Sequence, residues 1–519
     1  MTCGFLRTKA VATRLALLSR RPASPTLLRR RLASACAASD RWEVVVGLEM
    51  HAQLNSRTKL FSDALTAYND QPNWHVSAVD AAFPGALPHP NAECVGLAVR
   101  AALALDAAVQ PRSTFDRKHY FYHDIPAGYQ ITQHYEPIAR GGELQLSALD
   151  GLPYERSVRM VQLQIEQDTG KSMMDASGTQ VAVDLNRAGM PLIEIVTQPD
   201  IRSSLEAGLV VRKLQAILRA VGASNGNMEE GSLRCDVNVS VRRPGGPFGT
   251  RCELKNLTSI RFLTAAIDAE VARQIKLLEA GGTLARETRG YDVSRKQTFS
   301  LRSKETAVDY RYMPDPDLPP VYLSPEYIKR ERTQLAELPD AQKKRFMDTY
   351  GLTLEDCDTL LAEPGVSDYY VQVAEQQDPR VAFNWMTSEL MGQLNVHNIR
   401  FSDNPVSPTQ LQSVVSAVSS GQISGKIAKK VLAAMVKGDQ RLADAIVDAR
   451  GWAQIDDETV LNEVCRQLVA ENAEKVAAVV GGNKRLFGWF VGQVMQQTKG
   501  KANPVLVNKL LRSLMGLTE

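Results

Sequence analysis

Four segments of this chain alternate apolar and polar residues with a period of two, and such segments are stable only as strands whose faces meet different environments. In residues 44–55, Val44, Val46, Leu48, Met50, Ala52 and Leu54 share one face, while Glu49, His51 and Gln53 share the other. Val161, Leu163 and Ile165 oppose Gln162, Gln164, Glu166 and Asp168. Leu233, Cys235, Val237, Val239 and Val241 oppose Arg234, Asp236, Asn238, Ser240 and Arg242. Arg251, Glu253 and Lys255 alternate with Cys252 and Leu254.

A half-buried antiparallel sheet shows such alternation whenever its polar face is wet. The second reading is chemical. If these strands share a sheet, Glu49, His51, Glu166, Asp236 and Glu253 converge on one face. Carboxylates with an imidazole suit Mg²⁺ or Mn²⁺, and the interleaved Arg234, Arg251 and Lys255 suit phosphate oxygens. Spacing alone leaves both readings open. No phosphate loop, dinucleotide glycine motif, nucleophile elbow, His-Glu-x-x-His or Ser-Ser-Lys amidase run is present, so any ATP chemistry belongs on a sheet face.

The rest of the chain reads as an organised, multidomain protein. Its 519 residues are 44% hydrophobic and 23% charged, which excludes a collagen-like chain, a disulfide scaffold or a largely disordered one. No apolar run is long enough for a membrane span. Residues 1–38 hold eight basic side chains and no acid and read as a mitochondrial transit peptide, with a basic arm for nucleic acid as the alternative. The overall formal charge of +3 thus leaves a mildly acidic body. The seven cysteines form no Cys-x-x-Cys pair and read as buried free thiols. Strand-like text covers 41–321 and ends at the proline-rich Asp315–Pro320. A helical domain follows over 324–400, opened by Ser324-Pro325. After Ser402–Pro408, a helical tail covers 405–519. Its end carries Lys484, Arg485, Lys499, Lys501, Lys509 and Arg512 with no acid before Glu519, a pattern suited to a polyanion as well as to a solvated face.

In their order, these segments resemble the B subunit of the glutamyl-tRNA(Gln) amidotransferase. The resemblance rests on Val46-Gly-Leu-Glu-Met-His-Ala-Gln-Leu54, Phe115-Asp-Arg-Lys-His-Tyr-Phe-Tyr122, Gly128-Tyr-Gln-Ile131, Asn186-Arg-Ala-Gly-Met-Pro-Leu-Ile-Glu-Ile195, and Met228-Glu-Glu-Gly-Ser-Leu-Arg-Cys-Asp-Val-Asn-Val-Ser240. Glu253-Leu-Lys-Asn256 and Arg302-Ser-Lys-Glu305 through Tyr310-Arg-Tyr312 complete it. It runs from about Trp42 to Glu519.

The resemblance implies an α+β fold: a cradle-shaped catalytic domain with an antiparallel sheet, like glutamine synthetase, then a helical domain and a small all-α tail that binds tRNA. The implied activity is ATP-dependent conversion of Glu-tRNA(Gln) to Gln-tRNA(Gln) in the mitochondrial matrix. An acyl phosphate would be amidated by ammonia channelled from the glutaminase (A) subunit, with the small (C) subunit completing the complex. ATP and Mg²⁺ (or Mn²⁺) are implied. Carried over by position, Glu49, His51, Glu166, Asp236 and Glu253 are expected as metal ligands, and Arg234 and Lys255 as phosphate contacts. Lys118, Tyr120 and Tyr122 are expected at the ammonia channel, Lys118 and Tyr120 with Glu49 and His51 as catalytic groups. Lys484, Arg485, Lys499, Lys501, Lys509 and Arg512 are expected at tRNA. Gln167, His123 and Ala127 depart from the family's usual residues. The rival expectation is a tRNA-binding scaffold that has lost the phosphoryl-transfer step.

Overall fold

The computed structural model describes residues 41–174, 177–303, 309–452, 458–481, 484–498, 502 and 504–517. The expected transit peptide therefore lies outside the described residues. The fold mixes strands and helices in two compact units. One holds the chain through Lys213 and again Gly226–Ile328; the other holds Leu214–Asn225 and the chain from Lys329 onward.

The first unit is built on a ten-stranded sheet among the described residues. Its main strands are β1 (Glu43–Gln53), β4 (Arg156–Gln167), β5 (Pro191–Thr197), β6 (Leu233–Arg242), β7 (Cys252–Leu254), β8 (Glu287–Asp292) and β9 (Gln297–Ser303). They run in the order β9-β8-β7-β6-β1-β5-β4. Every neighbouring pair in this run is antiparallel except β7 with β8. The strands read from alternation thus do share one sheet, with β5 between β1 and β4. Val46, Leu48, Met50, Ala52 and Leu54 are buried, as are Leu233, Cys235, Val237, Val239 and Val241. Helix Ile260–Glu279 packs against β6, and helix Ala92–Ala104 packs against β4.

Val161 departs from the expected pattern. It is 40% exposed, whereas Val158, Met160, Leu163 and Ile165 are all buried. The pairing of β5 with β4 shifts register between Val196 and Thr197, opposite Gln162 and Met160. An extra residue at such a bulge reverses which face each side chain takes, and a strict two-residue period cannot register that reversal.

A three-stranded sheet of Met313–Pro314, β2 (Asp116–His119) and β3 (Tyr129–Thr132) lies against β4, with β3 packed on it. The proline-rich segment therefore pairs back onto the first unit. Asp315 is buried and accepts from Arg117 Nε at 2.8 Å, and Val321–Tyr322 pairs with Arg112–Ser113.

In the second unit, helix Pro408–Ser419 starts at a Ser407/Gln410 capping box with proline at its first turn, satisfying helix-start donors. One core joins Phe346, Tyr370 and Leu390 with Leu411, Val431 and Val447, so helices on both sides of Ser402–Pro408 share it. A separate core holds Leu461, Cys465, Phe490, Val494, Val507 and Leu511. Cys94, Cys235, Cys252, Cys357 and Cys465 are free and buried. Among the described residues, no helix is long and apolar enough to cross a membrane.

Lys59, fully buried, ties the loop after β1 to the segment before β5. Its Nζ donates to Asp80 Oδ2 at 3.0 Å, to His75 O at 2.7 Å and to Leu185 O at 3.2 Å. Gly189 takes φ +79° there, and an added Cβ would lie 2.6 Å from Asp80 Oδ1, which accounts for the glycine in Arg187-Ala-Gly-Met-Pro191. Lys59→Met leaves the Asp80 carboxylate buried without its cation, and the loss of such a partner costs about 3–5 kcal/mol. Urea unfolding is expected to show a loss of that order; a change below about 1 kcal/mol would remove Lys59 from this role.

Candidate active site

The polar face of the β5-β4 region is not wet. Gln164, Glu166 and Glu194 are 7%, 2% and 8% exposed, because β3 covers them. Gln130 on β3 donates to Glu166 Oε1 at 2.6 Å and to Gln167 O at 2.7 Å. Gln164 donates to Thr132 Oγ1 at 3.2 Å and to Glu194 Oε2 at 2.6 Å.

Register brings the reactive groups together. Glu49 faces Asp236, and His51 lies between Glu194 on β5 and Arg234 on β6. Cross-strand neighbours on one face sit about 5 Å apart, so four strands concentrate charge in a small area. Ligand atoms of Glu49, His51 and Glu194 all lie within 4.8 Å of one another. His51 Nε2 is 3.7 Å from Glu194 Oε2 and 3.8 Å from Glu166 Oε1.

The electrostatics follow from burial and these neighbours. Burial opposes a charged His51, but Glu194 and Glu166 outweigh it and raise the imidazole to about 9. Burial, then the charge of Glu194, pushes the Glu49 carboxyl up. Burial also raises Glu166, against the pull of Lys118. For Glu194 burial acts upward, yet its bond to His51 holds it below the ordinary carboxylate range. Lys118 on β2, opposite Gln130 on β3, resists its own burial because Glu166 and Glu194 hold its charge. Its Nζ stands 5.8 Å from the Tyr120 ring centre and 5.2 Å from that of Tyr310.

The remaining expected residues fall in different places. Asp236 and Glu253 are both ion-paired with Lys255, Glu253 at 3.5 Å. Arg234 binds Asp168 at 2.8 Å. The phenolic Tyr120 donates to Gln130 Oε1 at 2.8 Å. Tyr122 is 58% exposed, with its ring 6.0 Å from that of Tyr120. In the tail, Lys484 and Arg485 open helix Lys484–Gln497, and Lys509 and Arg512 are exposed on helix Pro504–Leu514. Lys499 and Lys501 lie outside the described residues.

Comparison with known proteins shows the family. Residues 44–329 match the GatB/GatE catalytic domain and 368–515 the GatB domain. The chain is 50% identical over 476 residues to the B subunit of the aspartyl/glutamyl-tRNA(Asn/Gln) amidotransferase of Methylobacterium sp. (strain 4-46), covering 92% of this chain and 96% of that one. It is 49% identical over 478 residues to the protein of that name from Methylobacterium radiotolerans, with 92% and 96% covered. It is 48% identical over 482 residues to the one from Azorhizobium caulinodans, with 92% and 97% covered.

The chain belongs to the GatB family of amidotransferase subunits.

One member of the tight trio in this GatB chain was not singled out from the sequence. Glu194 stands in Leu192-Ile-Glu-Ile-Val196, an almost wholly apolar run. A lone carboxylate inside a strand buried on both faces needs a partner, and that is the signal that marks it. In exchange, Asp236 and Glu253 have a fixed cation between them. Histidine with hard oxygen donors suits a divalent cation, and the set fits one: Glu166 Oε2 is buried with no hydrogen-bond partner among the described residues. A metal centre on the trio predicts that Glu194→Gln weakens Mn²⁺ binding more than about tenfold in a titration followed by electron paramagnetic resonance. Unchanged affinity would exclude Glu194 as a ligand.

Proposed function

We propose that this chain carries out the amidation step that turns Glu-tRNA(Gln) into Gln-tRNA(Gln), using ATP and ammonia released from glutamine by a separate glutaminase (A) subunit. The small (C) subunit completes the complex. The observation that carries this reading is the convergence of Glu49, His51 and Glu194 beside a charged Lys118 on a face closed by a second sheet. On this reading the sheet and its covering strands form a glutamine-synthetase-like cradle.

The γ-carboxylate of glutamate is a poor electrophile, so it needs activation. Its oxygen attacks the γ-phosphorus of ATP, giving an acyl phosphate and ADP. Ammonia then adds to the acyl carbon, and phosphate leaves with the bonding electrons. A divalent cation, Mg²⁺ or Mn²⁺, supplies charge neutralisation during phosphoryl transfer. Glu49, His51 and Glu194 would hold it, with Glu166 adjacent. Arg234 and Lys255 would meet phosphate oxygens, moving from Asp168 and from Asp236 and Glu253 as they do so. Lys118, Tyr120 and Tyr122 would receive the nitrogen: a cation beside tyrosine hydroxyls favours neutral ammonia over ammonium, and a neutral amine is the nucleophile.

Glu49→Ala or His51→Ala, in the complex reconstituted with its partner subunits, is expected to lower Gln-tRNA formation roughly 100-fold or more. Glutamine hydrolysis by the glutaminase should persist. Full activity in both variants would overturn the assignment of the cation site; absence of ATP-dependent phosphorylation of Glu-tRNA(Gln) by the reconstituted complex would favour the rival reading, a non-catalytic tRNA-binding scaffold.

The basic helices at the end of the chain would contact tRNA, and the mildly acidic body makes that contact local. Cutting at Pro408 would strip helices from the core shared with Phe346 and Tyr370, whereas the helices from Glu458 onward pack around their own core. Truncation after Trp452 is therefore the cleaner test. It should weaken tRNA binding about tenfold or more and flatten its salt dependence, with glutaminase activity retained. Equal losses in both would indicate misassembly. The acid-free residues 1–38 would direct the chain to the mitochondrial matrix; a native protein beginning at Met1 would count against this.

A further inference from the structure

Five carboxylates of the site fall into two groups according to whether a lysine or arginine is paired with them. Asp236 and Glu253 are paired with the ammonium of Lys255, and Asp168 with the guanidinium of Arg234. Their negative charge is already answered by a fixed cation. Glu166 and Glu194 instead take their short hydrogen bonds from neutral carboxamides, Gln130 and Gln164, each at 2.6 Å, with the His51 imidazole farther off at 3.8 and 3.7 Å.

Each carboxamide is itself oriented. Gln130 Nε2 faces two acceptors, Glu166 Oε1 and Gln167 O, so its Oε1 must be the atom that accepts from the Tyr120 hydroxyl. Gln164 Nε2 faces Glu194 Oε2 and Thr132 Oγ1, and its Oε1 accepts from Gln162 Nε2. The two relays have the same construction: a donor fixes the glutamine oxygen, and the glutamine nitrogen then fixes one carboxylate oxygen. An amide can be turned in either sense, and here both senses are set by the neighbours.

The geometry points to Gln130 and Gln164 as positioning residues that hold one oxygen each of Glu166 and Glu194 without adding a fixed positive charge beside a divalent cation. This rests on the reading of Glu49, His51 and Glu194 as a cation site. The physical reason for glutamine is that a buried carboxylate requires a donor, yet a lysine or arginine donor would neutralise it. A carboxamide supplies the donor without the charge. For Glu166 the consequence is specific: Oε1 is occupied, so Oε2, buried and without a hydrogen-bond partner among the described residues, is the oxygen left to take a cation. Outer partners of this kind are worth about 10- to 100-fold in metal affinity.

The test is Mn²⁺ binding, followed by electron paramagnetic resonance, in the reconstituted complex, with thermal unfolding as a check on folding. Gln130→Met and Gln164→Met keep the approximate side-chain shape and delete the donor. Each is expected to weaken Mn²⁺ about 10- to 100-fold. Should either methionine variant fail to fold, Tyr120→Phe and Gln162→Met decide the matter. These remove only the group that orients each glutamine, and a several-fold weakening is expected. A folded methionine variant, or failing that its orienting variant, binding Mn²⁺ like the unaltered chain would overturn the inference for that glutamine. If Glu194→Gln also binds Mn²⁺ normally, the cation site itself fails and the inference falls with it. If Glu194→Gln loses Mn²⁺ while both glutamine variants retain it, only the positioning role fails.

Discussion

The buried contact of His51 with Glu194 and Glu166 is the constraint on which the rest of the catalytic unit depends. Two carboxylates that are nearly inaccessible to solvent cannot stay charged without answering groups. The sheet places an imidazole between them, Gln130 of β3 donates to Glu166, and Gln164 of β4 donates to Glu194. The strand order follows from this need: β5 must lie between β1 and β4 for Glu194 to reach His51, and β2 and β3 must cover the face for water to be excluded. Lys118, opposite Gln130, adds the compensating positive charge.

The same burial explains why the site is electrostatically polarised. Within a few ångströms, Glu49 and Glu166 are pushed towards the neutral form, while Glu194 and His51 are held charged. Such divergent neighbours are characteristic of groups poised for chemistry. Further along the face, Asp236, Glu253 and Lys255 form a self-contained cluster of opposite charges, and Arg234 is paired with Asp168. The face is thus divided into a part where carboxylates share the charges of His51 and Lys118 and a part where each carboxylate has its own lysine or arginine partner. Transfer of a phosphoryl group to a carboxylate, proposed here, needs both kinds of surface.

Loops of the first unit hold this face in place. Lys59, Asp80 and Gly189 fix the approach to β5, which sets the position of Glu194 along the sheet. The segment Asp315–Pro320, whose prolines suggest a domain end, is tied through Asp315 to Arg117 on β2, the strand that carries Lys118, and the first unit runs on to Ile328. In the second unit the two separate helical cores divide the chain at a point that no proline marks. The Ser402–Pro408 break is only a loop inside one of them.

By itself, the sequence determined which segments are strands, which residues face away from the core on them, and the family to which the chain belongs. Alternation is a local property, and β1 obeys it from Val46 to Gln53 and β6 from Leu233 to Val239. The sequence therefore paired Glu49 with His51 and separated both from Met50. Only the tertiary structure decided that the polar face is buried, because that depends on β3, a short strand distant in sequence from β1. Only it brought in Glu194, whose strand is apolar on both faces and so carries no alternation to read. It also moved Val161 outward through a bulge, and it distinguished carboxylates held by amides from those held by lysine or arginine. Those choices are made by register between strands, and a one-residue shift in register exchanges the two faces.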